Sequence, residues 1–197
     1  MRAYGYNIGK PWTDFNEHGI GRGHKRAARC SFNGENLISY RTVVARYRDD
    51  GNGQYVVVTD RRYSVSTTSH VSNCTGFVRV PIFVVPHLHG GEAANLAKLW
   101  REVGDYAELA KRRWNPERSW LAATWERELA KLWVQAESYA SFTGQDIAMP
   151  TGDSSWLFAS VRAHRQAKLD AYNTPTQIKR RERAHARRIA KKALNIT

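Results

Sequence analysis

The spacing of the apolar residues changes once along this chain of 197 residues. Before residue 90, short runs rich in β-branched and aromatic residues alternate with turn clusters, which is typical of strands. After HLHGG at residues 87–91, apolar residues recur at roughly every third or fourth position, which is typical of helices packed on a core. The change predicts the α+β class, with a small antiparallel β-sheet at about 33–86 followed by a helical part at about 92–195.

The first half contains four runs that favour strands. LISYRTVVARYR and QYVVVT flank the turn cluster DDGNG at residues 49–53, which predicts a β-hairpin. RRYSVS at residues 61–66 predicts another short strand, and GFVRVPIFVV at residues 76–85 a fourth. Pro81 favours an edge position for the last of these, because proline cannot donate to the sheet. We therefore expect a small, mostly antiparallel sheet.

Two apolar stripes, at residues 96–114 and 121–136, predict a pair of antiparallel helices. Between them Asn115 suits an N-cap and Pro116 the first helical position. A loop at 143–153 precedes a predicted third helix at 154–172, and the capping-box pattern TPTQ, which begins at Thr174, predicts a fourth.

Composition divides the chain into four segments. These are a basic, glycine-rich arm at 1–31, the sheet at 32–90, a tryptophan-rich helical part at 91–173 and a basic C-terminal helix at 174–197.

The net charge of +13 is concentrated in two of these regions. Residues 1–90 carry a surplus of +6, residues 91–173 are balanced, and residues 174–197 carry 8 Lys/Arg against 1 Asp/Glu. Two basic regions around a neutral one indicate two cationic surfaces and a polyanionic partner.

The C-terminal basic helix is the main candidate surface. Its cations repel each other at i,i+3 and i,i+4 spacing, by about 0.2–0.5 kcal/mol per pair. Glu182 alone cannot offset this repulsion, whereas phosphate groups could. The predicted phosphate contacts are Lys179, Arg180, Arg181, Arg183, Arg187, Arg188, Lys191 and Lys192.

The glycine-rich arm supplies a second candidate patch in GIGRGHKRAAR. Its glycines let backbone approach phosphates closely, and its cations add charge. Because this G-x-G-x-G run neither follows a strand nor opens a βαβ unit, we do not expect a dinucleotide site. The predicted contacts are Arg22, Lys25, Arg26 and Arg29.

The sheet tyrosines allow two interpretations. Tyr40, Tyr47, Tyr55 and Tyr63, together with nearby arginines, could stack single-stranded bases. Neither face of the predicted strands is cleanly polar, so core aromatics with arginines at the edge are the favoured interpretation.

Four residues raise the question of a metal. His24, Cys30, His70 and Cys74 could form a tetrahedral zinc site, although their H-x5-C and H-x3-C spacings are not a standard zinc pattern. Loop histidines and buried cysteines are the alternative, and His87-x-His89 fits a connection from strand to helix.

RRYSVSTTSH places several hydroxyls near His70. A catalytic relay would also need a carboxylate within hydrogen-bond range, so a Ser/Thr-rich turn that caps a short helix is the simpler interpretation. We expect no cofactor and a non-enzymatic function.

No run approaches the roughly 20 apolar residues that span a bilayer, and the first residues lack the apolar core of a signal peptide. With only two cysteines, we expect reduced thiols, a cytoplasmic location and no membrane partner.

The segment SYRTVVARY…YVVVTDRRYSVSTTSH, at residues 39–70, resembles small uncharacterised proteins of bacteriophages and mobile elements. The resemblance implies a phage-encoded protein that acts in a bacterial host cell, and it implies no activity. The favoured function is nucleic-acid binding through backbone phosphates, with DNA or RNA, single or double strands, and the oligomeric state left open. Alternatives are a structural, assembly or host-factor-binding protein that docks on an acidic host or virion protein, and a metal-dependent enzyme.

Overall fold

The structure is a computed structural model that describes residues 8–27, 29–61, 63–145 and 154–194; the side chains of residues 119, 120, 154 and 191–194 lie outside this description. A six-stranded sheet followed by long helices confirms the α+β class. The chain divides into two compact units, residues 1–102 with 132–148 and residues 103–131 with 149–197. This division differs from the four compositional segments, because two long helices each contribute residues to both units.

The sheet contains six strands in chain order, all in the first unit. They are β1 (His24–Ala27), β2 (Cys30–Asn33), β3 (Asn36–Ser39), β4 (Thr42–Asp49), β5 (Gln54–Thr59) and β6 (Ile82–Val85). Neighbours from β1 to β5 pair antiparallel, and β5 pairs parallel with β6. The mostly antiparallel sheet is therefore confirmed. Strand β6 begins directly after Pro81 and lies at the edge of the sheet, so the predicted edge position is also confirmed.

The predicted hairpin is confirmed by the pairing of β4 with β5, in which Tyr47 lies opposite Val56. The run LISYRTVVARYR is not one strand, however, because the chain turns at Tyr40 and Arg41. Tyr40 adopts a left-handed conformation with φ 60°. Its N–H donates to the carbonyl of Arg29 at 2.7 Å, which extends the pairing of β2 and β3 by one bond. Periodicity alone cannot reveal so short a turn inside an apolar run.

The predicted basic arm is wrong as a description of residues 10–27. Helix α1 (Lys10–His18) and strand β1 occupy this region. Trp12 is completely buried, its ring packs edge-on against Tyr47 with centroids 4.6 Å apart, and its Nε1 donates to the carbonyl of Glu35 at 3.1 Å. Ile8, Trp12 and the partly buried Phe15 recur at helical spacing, which the abundant glycines and cations obscure.

The predicted strand at 61–66 is also wrong. Helix α2 (Val65–Thr75) begins there, and the side chain of Ser64 accepts a hydrogen bond from the backbone N–H of Thr67 at 3.4 Å. The alternative interpretation, a Ser/Thr-rich turn that caps a short helix, is confirmed. Such a cap satisfies an otherwise unpaired N–H of the first helical turn. The parallel pairing of β5 with β6 requires a crossover connection, and α2 lies within it.

Two long helices follow, α3 (Glu92–Arg113) and α4 (Ala122–Thr143). In the first unit Trp100 meets Trp133 edge-on with centroids 5.1 Å apart, and Asn95 Nδ2 donates to the Tyr139 hydroxyl at 2.9 Å. Residue numbers rise on one helix as they fall on the other, so the predicted antiparallel pairing is confirmed. Tyr139 also packs against Phe83 of β6, which joins these helix segments to the sheet.

In the second unit α3 and α4 pair through Tyr106 and Trp125, whose centroids are 5.4 Å apart. Asn115 Oδ1 accepts from the N–H of Glu117 at 2.9 Å, which confirms Asn115 as a cap. The segment that follows is a 3₁₀ helix (Pro116–Leu121) rather than the first turn of α4. Helix α5 (Ser154–Tyr172) has the predicted bounds and buries Leu157 and Val161.

Helix α6 (Pro175–Leu194) confirms the predicted fourth helix. The predicted capping box does not form, because the Thr174 hydroxyl donates to the carbonyl of Ala171 at 3.3 Å instead of accepting from the next turn. Most of the predicted loop at 143–153, from residue 146 onwards, lies outside the described residues. Among the helices that the structure describes, none is both long and apolar enough to cross a membrane.

Candidate nucleic-acid interface

Helix α6 exposes its basic side chains almost completely. From Pro175 to Ala190 every residue is exposed except Arg181, which is half-buried. A helix with so little burial gains little stability from packing, so exposed surface rather than core formation accounts for its composition.

Four cations of α6 share one face, which we call the α6 cation face: Lys179, Arg180, Arg183 and Arg187. At about 100° of rotation per residue they fall within an arc of about 100°. They also line one concave space of about 700 Å³. Ile178 and Ile189 lie on the opposite side of the helix, about 130–150° from the centre of this face. The charged side chains of the face are therefore all basic.

Among the described residues, no acidic side chain neutralises the α6 cation face. No ion pair formed among the described residues includes a cation of α6, and Glu182 pairs with none of them. Elsewhere several acidic residues form ion pairs, as where Glu126 pairs with Arg162 at 3.5 Å and also with Arg165. The charge of α6 is thus available to a partner in solution.

Arg181 differs from its neighbours on α6. Its guanidinium carbon lies 3.6 Å from the centroid of the Tyr172 ring, and its NH2 donates to the Tyr172 carbonyl at 2.9 Å. A cation held over an aromatic ring and bonded to backbone fixes the junction of α5 and α6. Arg181, predicted as a phosphate contact, is therefore occupied within the protein. The side chains of Lys191 and Lys192, also predicted contacts, lie outside the described residues, and Arg188 is exposed.

The second predicted patch lies in the first unit, on and beside the edge strand β1. Arg22, Lys25, Arg26 and Arg29 are all exposed. Lys25 lies opposite Phe32 and Arg26 opposite Ser31, so these two neighbours point to opposite faces of the sheet. Cations on an edge strand also discourage pairing with another chain, which accounts for them without a ligand. The charge here is less concentrated on one face than it is on α6.

The predicted zinc ligands are only partly brought together. Cys30 and Cys74 are buried with their Sγ atoms 3.9 Å apart, whereas His24 is exposed at the far end of β1. His70 Nδ1 instead lies 2.9 Å from the Ser39 hydroxyl. The contact with Cys30 and burial raise the pKa of the Cys74 thiol, which disfavours the thiolate that zinc requires. Among the described residues no group of three or more His, Cys, Asp or Glu is arranged to hold a metal ion.

The histidines after β6 form the predicted connection from strand to helix. The buried Asn95 accepts from the N–H of His87 at 3.0 Å and donates to its carbonyl at 2.9 Å. His89 Nδ1 contacts the guanidinium of Arg46. The two bonds of Asn95 hold the start of α3 against the segment that follows β6.

The sheet tyrosines do not form an exposed stacking surface. Tyr47 and Tyr55 are buried, and their hydroxyls donate to Glu17 and Asp50 respectively. Tyr63 is half-buried, which leaves Tyr40 as the exposed member of the four. Core aromatics are thus the correct interpretation for Tyr47 and Tyr55.

Sequence reasoning missed one arrangement in the first unit. Arg29, Tyr40 and His70 are far apart in the chain, yet they line a common cavity of about 260 Å³. Adjacent polar residues on α2 were visible in RRYSVSTTSH, but the turn that presents Tyr40 was not.

No family model, no curated protein and no solved structure matches this chain. The function proposed for it therefore depends on its own geometry and charge.

Proposed function

We propose that this protein binds nucleic acid without catalysing a reaction, through contacts between phosphates and the α6 cation face. The observation that carries the proposal is an exposed helix whose cations have no acidic partner among the described residues. Cations that neutralise phosphates release condensed counterions, and this release favours binding whatever the base sequence. Arg188 and the patch on β1 add exposed charge. A phage-encoded origin and action in the cytoplasm of a bacterial host are part of the same proposal.

A salt titration of the full chain tests the proposal. Affinity is measured against matched single- and double-stranded DNA and RNA between low and moderate salt. Four phosphate contacts correspond to a slope of log K against log salt of about −3.6 for duplex DNA and about −2.8 for single strands. A slope near zero for every polymer would reject nucleic-acid binding by α6. The polymer with the highest affinity identifies the preferred ligand.

Arg181 and Arg180 provide a matched pair of variants, because they are adjacent cations in different environments. We expect Arg180→Gln to reduce the duplex slope by about 0.9, and Arg181→Gln to leave it nearly unchanged. Arg181→Gln should instead loosen the junction of α5 and α6, since it removes the contacts with Tyr172. Amide hydrogen exchange around Tyr172 should then accelerate about fivefold or more. If Arg180→Gln and Arg181→Gln reduced the slope of log K against log salt equally, Arg181 would have to leave Tyr172 to contact phosphate.

A further inference from the structure

The first unit contains a cavity of about 260 Å³ between α2 and the turns that precede β2 and β4, which we call the α2 cavity. Ser66, Ser69 and His70 line it from α2, where they recur at helical spacing on one face. Arg29 and Tyr40 line it from the two turns. The backbone bond from Tyr40 to Arg29 fixes these turns to each other.

The lining supplies hydrogen-bond donors and positive charge. Arg29 contributes an exposed guanidinium, Tyr40 a phenol, and α2 two serine hydroxyls. No carboxylate is among the described residues that line the cavity. Hydrogen bonds with Arg29 and then with Ser66 lower the pKa of Tyr40, so these three side chains meet at the cavity. Such a set of groups is complementary to an anion.

His70 is held in one orientation at the inner wall. It is buried, and its Nδ1 lies 2.9 Å from the hydroxyl of Ser39, which in turn donates to Thr67 at 3.3 Å. Burial, followed by the charge of Arg29, lowers the pKa of His70 and so favours the neutral imidazole. The buried Ser39 and Thr67 therefore hold this wall in place from behind.

Tyr40 is presented at the mouth of the cavity by an unfavourable backbone conformation. Its φ of 60° lies in the left-handed region, and the side chain is 46% exposed. A bulky residue in this region costs on the order of 1–3 kcal/mol, and such residues concentrate at functional sites. Val65, 82% exposed, adds further apolar surface beside the mouth. An organic group attached to the anion would contact these two side chains.

We propose that the α2 cavity binds a nucleoside monophosphate, with the phosphate on Arg29 and the Tyr40 hydroxyl and the nucleoside against the Tyr40 ring and Val65. A phosphate monoester accepts several hydrogen bonds at once, as this donor set requires. The Tyr40 ring already contacts Arg29, whose guanidinium carbon lies 5.7 Å from the ring centroid, and the His70 ring, whose centroid is 5.8 Å away, so the nucleoside contacts the part of the ring that stays exposed. The α2 cavity belongs to a different unit from α6, and its ligand is independent of whether α6 binds nucleic acid.

The test uses the full chain with the α6 cation face replaced by glutamines, so that binding at α6 does not contribute. Thymidine 5′-monophosphate, inorganic phosphate and thymidine are each titrated to about 20 mM while the amide signals of Ser66, Ser69 and Asn73 are followed by NMR. We expect saturable shifts with the monophosphate, weaker ones with inorganic phosphate, and none with thymidine. Absence of a saturable shift with the monophosphate, or equal shifts with thymidine, would overturn the assignment.

Three variants locate the ligand. Arg29→Gln and Tyr40→Phe are expected to weaken monophosphate binding about tenfold and about fivefold, because each removes a bond to the phosphate. Arg41→Gln removes an equal charge from the same turn as Tyr40, at an exposed residue outside the cavity lining, and should change affinity less than twofold. Equal weakening by Arg41→Gln and Arg29→Gln would show long-range attraction rather than a site, and would also overturn the assignment.

Discussion

Neutralising the α6 cation face is expected to weaken binding to duplex DNA by about 100- to 1,000-fold at 0.15 M salt. The variant carries K179Q, R180Q, R183Q and R187Q. Each phosphate contact releases about 0.9 counterion, which at this salt concentration is worth about 0.7 logarithmic units of affinity, so four contacts approach three units. The slope of log K against log salt should fall by about 3.6 in the same variant. Fluorescence anisotropy with a labelled duplex measures both quantities.

The fold of this variant should be retained. All four side chains are exposed, and glutamine and arginine have similar helix propensities. Removing like charges at i,i+3 and i,i+4 spacing also relieves repulsion within α6. Far-UV circular dichroism should therefore show unchanged helix content, and a loss of affinity can be assigned to the missing phosphate contacts.

A second variant separates local contacts from total charge. R101Q, R112Q, R113Q and R127Q remove the same charge from exposed residues on α3 and α4. This change lowers the overall positive potential equally but leaves the α6 cation face intact, so affinity should fall by less than about tenfold. If both variants lost affinity and slope to the same extent, α6 would not be the interface.

The sequence predicted α6 well because little tertiary packing decides its structure. Its bounds follow from the run of helix-favouring residues after Pro175, and its exposure follows from the scarcity of large apolar side chains between Ile178 and Ile189. Helix α5 was predicted with correct bounds, since the predicted loop at 143–153 and the TPTQ pattern at Thr174 mark its two ends. In these segments local preference and final structure coincide.

The α2 cavity could not be predicted from the sequence because three separate segments form it. Arg29 and Ser66 are visible as single residues, but their approach depends on the two-residue turn at Tyr40 and Arg41. That turn interrupts a run with strong strand propensity, and no glycine or asparagine marks the position with positive φ. Only the pairing of β2 with β3 brings the Arg29 carbonyl to the N–H of Tyr40.

Residues 10–18 were also predicted wrongly, because local composition did not reveal how they pack. Replacing Trp12 tests the helix that these residues form. Trp12→Ala is expected to lower the free energy of unfolding of the first unit by about 3–5 kcal/mol. The completely buried indole fills the space beside Tyr47 and donates to the Glu35 carbonyl, so the truncation leaves a cavity and removes one of the two hydrogen bonds that this carbonyl accepts. Urea denaturation followed at the amide signals of β2, β3 and β4 measures the loss in this unit.

Ile20→Ala provides the control, because Ile20 lies two residues beyond α1 and is 62% exposed. Its substitution should change the free energy of unfolding by less than about 0.5 kcal/mol. Trp12→Phe retains an aromatic ring beside Tyr47 but loses the indole N–H, so its effect should lie between the other two. If Trp12→Ala were as mild as Ile20→Ala, α1 would contribute no core, and residues 10–18 would belong to the irregular arm predicted for residues 1–31. A loss of several kcal/mol would instead show that the sheet depends on α1 and that this segment is held in place by its own buried residues.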